Sequence, residues 1–194
     1  MRLTRAVKTA AAMAATAALG VSAASALVGS PPAAVTPQSP VAQPGSDRVD
    51  QTAPDPGTGL GWAVRGYAST SGGSCVEVGR ISDGRFGQIG ERGAFRETPV
   101  QQGGTCGDLV EEPVLLAINH YPAAAQRAPR TVLFGRARPD VAEIHVTGPE
   151  GSERALVVGS GGGFVLPLAA AIAPADLPVR VTLTTGRRLT FDWR

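Results

Sequence analysis

Residues 155–164 read ALVVGSGGGF, an apolar run followed by one serine among four glycines. Three chemistries begin this way: dinucleotide binding, phosphate cradling, and acyl transfer from an exposed serine. Spacing decides among them. Gly159 and Gly161 fit the first two glycines of G-x-G-x-x-G, but Phe164 takes the third place. A P-loop needs a lysine after its last glycine, and Lys8 is the only lysine of the chain. A nucleophile elbow G-x-S-x-G around Ser160 has Val158 in its first glycine position. No helix signal follows, because FVLPLA continues with strand-like residues and a proline. The stretch reads as a turn.

The other residues capable of chemistry are few. His120 and His145 are the only histidines. They show neither H-x-x-x-H nor H-x-H spacing, so no metal site is expected. His145 alternates outward between Ile144 and Val146, and His120 stands at a strand end beside Tyr121. Glu111 and Glu112 are adjacent, and strand neighbours point to opposite faces, so they do not act jointly on one bond. Trp62, Tyr67, Phe191 and Trp193 are the planar groups that a sugar or partner would stack on. The alternation of Phe191 with Trp193 and of Trp62 with Val64 favours a core role instead. No catalytic residue, cofactor or metal is assigned.

Cys75 and Cys106 are the whole thiol inventory. Nucleophilic use would require a neighbouring base, and dithiol redox chemistry would favour C-x-x-C; neither pattern occurs. In an exported chain two cysteines have one pairing, and a Cys75–Cys106 disulfide is expected.

Export is read from the N-terminus. MRLTRAVK is followed by an uncharged stretch ending in Ala24-Ser25-Ala26, the pattern of a cleaved signal peptide over residues 1–26. The alternative is an uncleaved anchor, the one route by which the membrane would be a partner. Its Ala, Ser, Thr and Gly insert less readily than Leu or Ile. The net charge of +2 belongs to this leader. Without Arg2, Arg5 and Lys8, 15 basic residues face 16 acidic ones. A chain of net charge −1 has no surplus field for nucleic acid or for an anionic membrane. The near absence of lysine beside many arginines, with abundant Ala, Gly and Pro, is a sign of GC-rich bacterial coding.

Residues 27–60 are rich in Pro, Ser, Gln, Gly and Ala, with no aromatic and no apolar period. Such a segment buries too little surface to offset its ordering entropy, and a disordered linker is expected there. In polyproline geometry, ~3.1 Å per residue, it would reach on the order of 100 Å.

From residue 61 to 194 an all-β region is expected. Asp83-Gly84 is the dipeptide of a two-residue hairpin, placing Ile81 opposite Phe86 and Val78 opposite Ile89. In the C-terminal half TVLFGRA, VAEIHVTG, ERALVVGS, GFVLPLA, VRVTLT and RRLTFDWR are short segments punctuated by Gly and Pro, the pattern of a sandwich or barrel. Val179, Val181 and Leu183 share a face with Leu189, Phe191 and Trp193 only if the loop around Gly186 holds an odd number of residues. That register sets Arg180 beside Thr190 or Asp192. YPAAAQRA (121–128) is the one helical candidate and is short enough to be a single turn. A split near 122–130, into a meander over 61–122 and a sandwich over 131–194, is a possible subdivision.

The pattern W-x-V-R-x-Y, G-S-C-V-E-V-G, D-G-R-F-G-x-I-G, F-R-E-x-P and C-G-D over residues 62–108 resembles exported proteins of high-GC Gram-positive bacteria with no assigned activity. V-x-x-I-x-V-x-G-P-x-G followed by G-x-F resembles bacterial immunoglobulin-like or carboxypeptidase-regulatory-like β-modules. These resemblances imply an immunoglobulin-like β-sandwich behind an N-terminal disulfide-bridged meander, and they carry over no functional residue. The expectation is a secreted or extracytoplasmic, non-enzymatic module that binds or spaces an unknown component of the cell envelope. The alternatives are a membrane-anchored sensory ectodomain and a secreted hydrolase.

Overall fold

The structure, a computed structural model, describes residues 40–57, 59–90, 92–99, 104–123 and 128–191. The leader expected over 1–26, the linker as far as residue 39, the centre of the helical candidate (124–127) and Trp193 lie outside the described residues. Apart from one turn of 3-10 helix at Pro174–Asp176, the regular structure described is antiparallel β.

Three sheets build it. The first runs in chain order through β1 (Arg48–Ala53), β2 (Trp62–Ala68), β3 (Ser74–Ser82), β4 (Arg85–Ile89) and β5 (Phe95–Glu97), the expected meander. The short β6 (Thr105–Gly107) also pairs with β3 and closes the Cys75–Cys106 disulfide, the two cysteines lying directly opposite each other. The second sheet has the order β11 (Gly163–Leu168), β8 (Arg130–Ala137), β7 (Val114–Tyr121). The third has the order β10 (Glu153–Ala155), β9 (Val141–Thr147), β12 (Val179–Leu183), β13 (Arg188–Phe191).

Turn chemistry sets the registers. Asp83 and Gly84 take φ of 49° and 75°, the positive values a two-residue hairpin demands, and Ile81 faces Phe86. The β3–β4 ladder extends to Arg80 opposite Gly87, short of the expected Val78–Ile89 pair. At the C-terminal hairpin Leu183 N–H donates to Arg187 O, leaving a three-residue loop with Gly186 at φ 81°. Val179 then faces Phe191 and Arg180 faces Thr190, as the alternation requires. Pro167, which has no N–H to donate, sits on β11 at the edge of its sheet.

The middle sheet is buried on both faces. Val114, Leu133 and Phe164 point to a core shared with Ile144, Val146, Val179 and Val181 of the third sheet. Their strand neighbours Leu115, Val132, Phe134 and Val165 point to a second core with Trp62, Val64, Val76 and Val78 of the first sheet. The β-sandwich is therefore doubled, with one sheet serving two cores. This explains why VLF at 132–134 is a continuous apolar run rather than an alternation.

Two sequence-based boundaries are corrected. The linker does not extend to residue 60: Arg48–Ala53 is strand β1, laddered to β2. RVDQTA carries no apolar alternation, and its order comes from distant partners that composition does not reveal. The split near 122–130 falls inside a hairpin, since β7 and β8 pair along their whole length across it.

Candidate functional site

The glycine turn lines a concave site. Gly162 N–H donates to Gly159 O at 2.9 Å, and Gly162 adopts φ 86°. The turn reading holds, but the neighbouring glycines have a second cause. A Cβ on Gly159, Gly161 or Gly163 would collide with Asp50 of β1. The run is glycine because a strand from the other end of the chain lies against it.

Asp50 is 1% exposed at its side chain, and its Oδ1 accepts from Arg48 Nε at 2.6 Å. Its Oδ2 lies 3.9 Å from Arg136 Nε and accepts no hydrogen bond. Arg136 Nε instead donates to Gly161 O at 2.9 Å. One buried carboxylate thus holds two arginines at the mouth of the turn. Beside them Arg138 grips Asp140 with two hydrogen bonds, 2.6 and 2.7 Å, and Nη1 donates to Val110 O.

These arginines, Ser160 and Gly161 rim a pocket of about 450 Å³. Its apolar wall comes from Leu109, Val141 and Val158. The arrangement sets guanidinium groups and a glycine turn around a partly apolar hollow, a chemistry suited to holding an anion.

The residues singled out in the sequence are scattered. His120 Nδ1 is 3.2 Å from Thr131 Oγ1, while Ser160 belongs to the turn leading into β11, whose first residue pairs with Arg136. Residues 131 and 136 are about 17 Å apart along β8 at ~3.4 Å per residue, so His120 and Ser160 occupy opposite ends of one sheet. His145 lies on the outer face of the third sheet, 3.4 Å from both Glu143 and Glu153. Glu111 and Glu112 are exposed in a turn, closed by Glu112 N–H donating to Asp108 O. Trp62 and Tyr67 are buried, so neither offers a stacking face. Among the described residues no group of three potential ligands is placed to hold a metal ion. None of them forms a helix long and apolar enough to cross a membrane.

Sequence reasoning missed Arg48, Asp50 and Arg136. The two arginines of RAR at 136–138, directly after an apolar strand, were a usable signal; Arg48 and Asp50 were hidden in a segment read as linker.

Two further charged clusters are buried, one joining the β1–β2 loop to β3 and to β8 of the second sheet, the other between β2 and β3. Asp55, 3% exposed, accepts from Arg130 (2.9 Å), Arg80 (2.8 Å), the Trp62 indole (2.9 Å) and Gly57 N–H (2.9 Å). Arg80 also stacks 3.5 Å over the Trp62 ring. Burial pushes the Asp55 carboxyl up, but the hydrogen bonds of Arg130 and Arg80 outweigh it and hold the group well below the usual carboxylate range. Glu77 has one arginine, Arg65, at 2.6 Å. There burial wins: the Glu77 carboxyl is raised, Arg65 only offsetting part of the shift, with Asp47 raising it further. The charged side chains of both clusters are enclosed by protein.

No protein-family model matches the chain, and neither a curated protein nor a solved structure does so.

Proposed function

We propose that the chain is a non-enzymatic, extracytoplasmic binding module of the cell envelope, acting through the pocket at the glycine turn. The pocket carries this reading, with donors from Arg48, Arg136 and the 159–162 turn around an apolar hollow. Ser160 on its rim has His120 at the far end of the sheet rather than beside it. A disulfide is the bond of oxidising compartments, and it agrees with the leader read at residues 1–26. In this proposal the pair of C-terminal sheets acts as an immunoglobulin-like scaffold, and the tether is the segment before Ala42, which itself packs against Tyr67 and Cys75.

The test is sedimentation of the full chain with isolated cell envelopes of a high-GC Gram-positive bacterium. Retention that is lost in Arg48→Ala is the expected result; an unbound wild-type chain at low and high salt sinks the reading. N-terminal sequencing of the exported protein separates the cleaved form, starting at Leu27, from an anchored sensor.

A further inference from the structure

We infer that the pocket takes a singly charged carboxylate, the C-terminal end of a peptide with small apolar side chains; this rests on the binding reading above. The first argument is the donor set. Arg48 uses Nε on Asp50 and Arg136 uses Nε on Gly161 O, so among the described residues the Nη nitrogens of both make no hydrogen bond. The main-chain N–H groups of Ser160 and Gly161 likewise have no partner among the described residues. Planar guanidinium forks beside free main-chain N–H groups form the donor pattern that captures a carboxylate end.

Charge selects the ligand's valence. Arg138 is matched by Asp140, leaving Arg48 and Arg136 against the single carboxylate of Asp50. The surplus is one positive charge. A monoanion neutralises it. A doubly charged phosphate monoester would add a net negative charge beside Asp50, whose buried Oδ2 already lacks a donor.

Shape gives the rest. About 450 Å³ lies at the lower end of the ~300–1,000 Å³ of small-ligand sites. Leu109, Val141 and Val158 supply an apolar wall next to the donors, where a methyl-sized side chain adjoining the carboxylate would sit. An acid lacking that apolar neighbour leaves the wall wet.

The experiment titrates the full chain with acetyl-Ala-Ala, with its C-terminal amide and with inorganic phosphate, by calorimetry and by amide chemical shifts. The free acid is expected to bind, shifting the Ser160 and Gly161 amides. The amide is expected to bind at least 10-fold more weakly, as is the free acid to Arg48→Lys, which keeps a cation beside the buried Asp50 carboxylate but lacks the planar fork. Equal binding of acid and amide, tighter binding of phosphate, or shifts confined to residues outside the turn would each overturn the proposal. Arg48-dependent retention on envelopes with no binding of the peptide acid discards the carboxylate and keeps the binding module. Loss of both discards both.

Discussion

Arg180 of β12 and Arg65 of β2 both stand in mid-strand, and the two sheets treat them in opposite ways. Arg180 faces His145 and Thr190 on the outer face of the third sheet, half exposed, and pairs with Glu153. Arg65 is 7% exposed at its side chain, lies directly opposite Glu77 and stacks 4.2 Å over Phe86. The third sheet obeys simple alternation, apolar inward and charged outward. The first sheet buries both faces of β2 and β3 and must pair every charge it encloses. The lesson is that the same residue type marks solvent in one layer and a buried network in the other, and only the neighbouring layers decide which.

This contrast can be broken most forcefully at Asp55. Asp55→Ala leaves Arg80 and Arg130 buried without their carboxylate, and is expected to cost about 3–5 kcal/mol in urea denaturation. That is a large share of the ~5–15 kcal/mol of a typical domain. A loss below 1 kcal/mol would show that the network is tolerated rather than needed. The Cys75→Ala/Cys106→Ala double variant opens a link across 31 residues and is expected to lose about 3–4 kcal/mol in the chain-entropy model.

In the third sheet the dominant residue is apolar. Val181→Ala, at a fully buried position, is expected to cost about 1.5–3 kcal/mol by thermal unfolding. The pH dependence sharpens the contrast within the first sheet. The lowered Asp55 carboxyl contributes stability that is present above its unfolded value of 3.8 and lost as pH falls toward the folded one. The raised Glu77 carboxyl does the reverse, contributing stability below its unfolded value of 4.5 that is lost as pH rises through the folded one. Denaturation midpoints of Glu77→Gln should therefore lack the decline that wild type shows as pH rises above about 4.5. Arg180→Ala comes last, with an expected change within about 0.5 kcal/mol, since an exposed ion pair is worth little.

The reach of sequence reading follows the same division. The β12–β13 register was legible because alternation and the Gly186 loop admit only one pairing, whereas the pairing of β12 with the distant β9 left no local signal. The β3–β4 turn was legible because Asp83-Gly84 has a conformational requirement of its own. Arg65, Glu77 and Arg80 gave the opposite signal, since charges in alternation imply a wet face unless another layer covers them. The pocket was half legible. The glycine run read as a turn, and the residue that packs against it, Asp50, lay more than a hundred positions earlier in a stretch whose composition resembles a linker. The strand Arg48–Ala53 owes its order to β2 and to the glycine turn, and no local propensity records such a debt.

The shared middle sheet also makes the two cores depend on one another. Strand β8 has one face covered by β9 and β12 and the other by the meander. Neither half of the chain is dry without it. A break at residue 122 would part β7 from β8 and leave two fragments, each with an uncovered apolar flank.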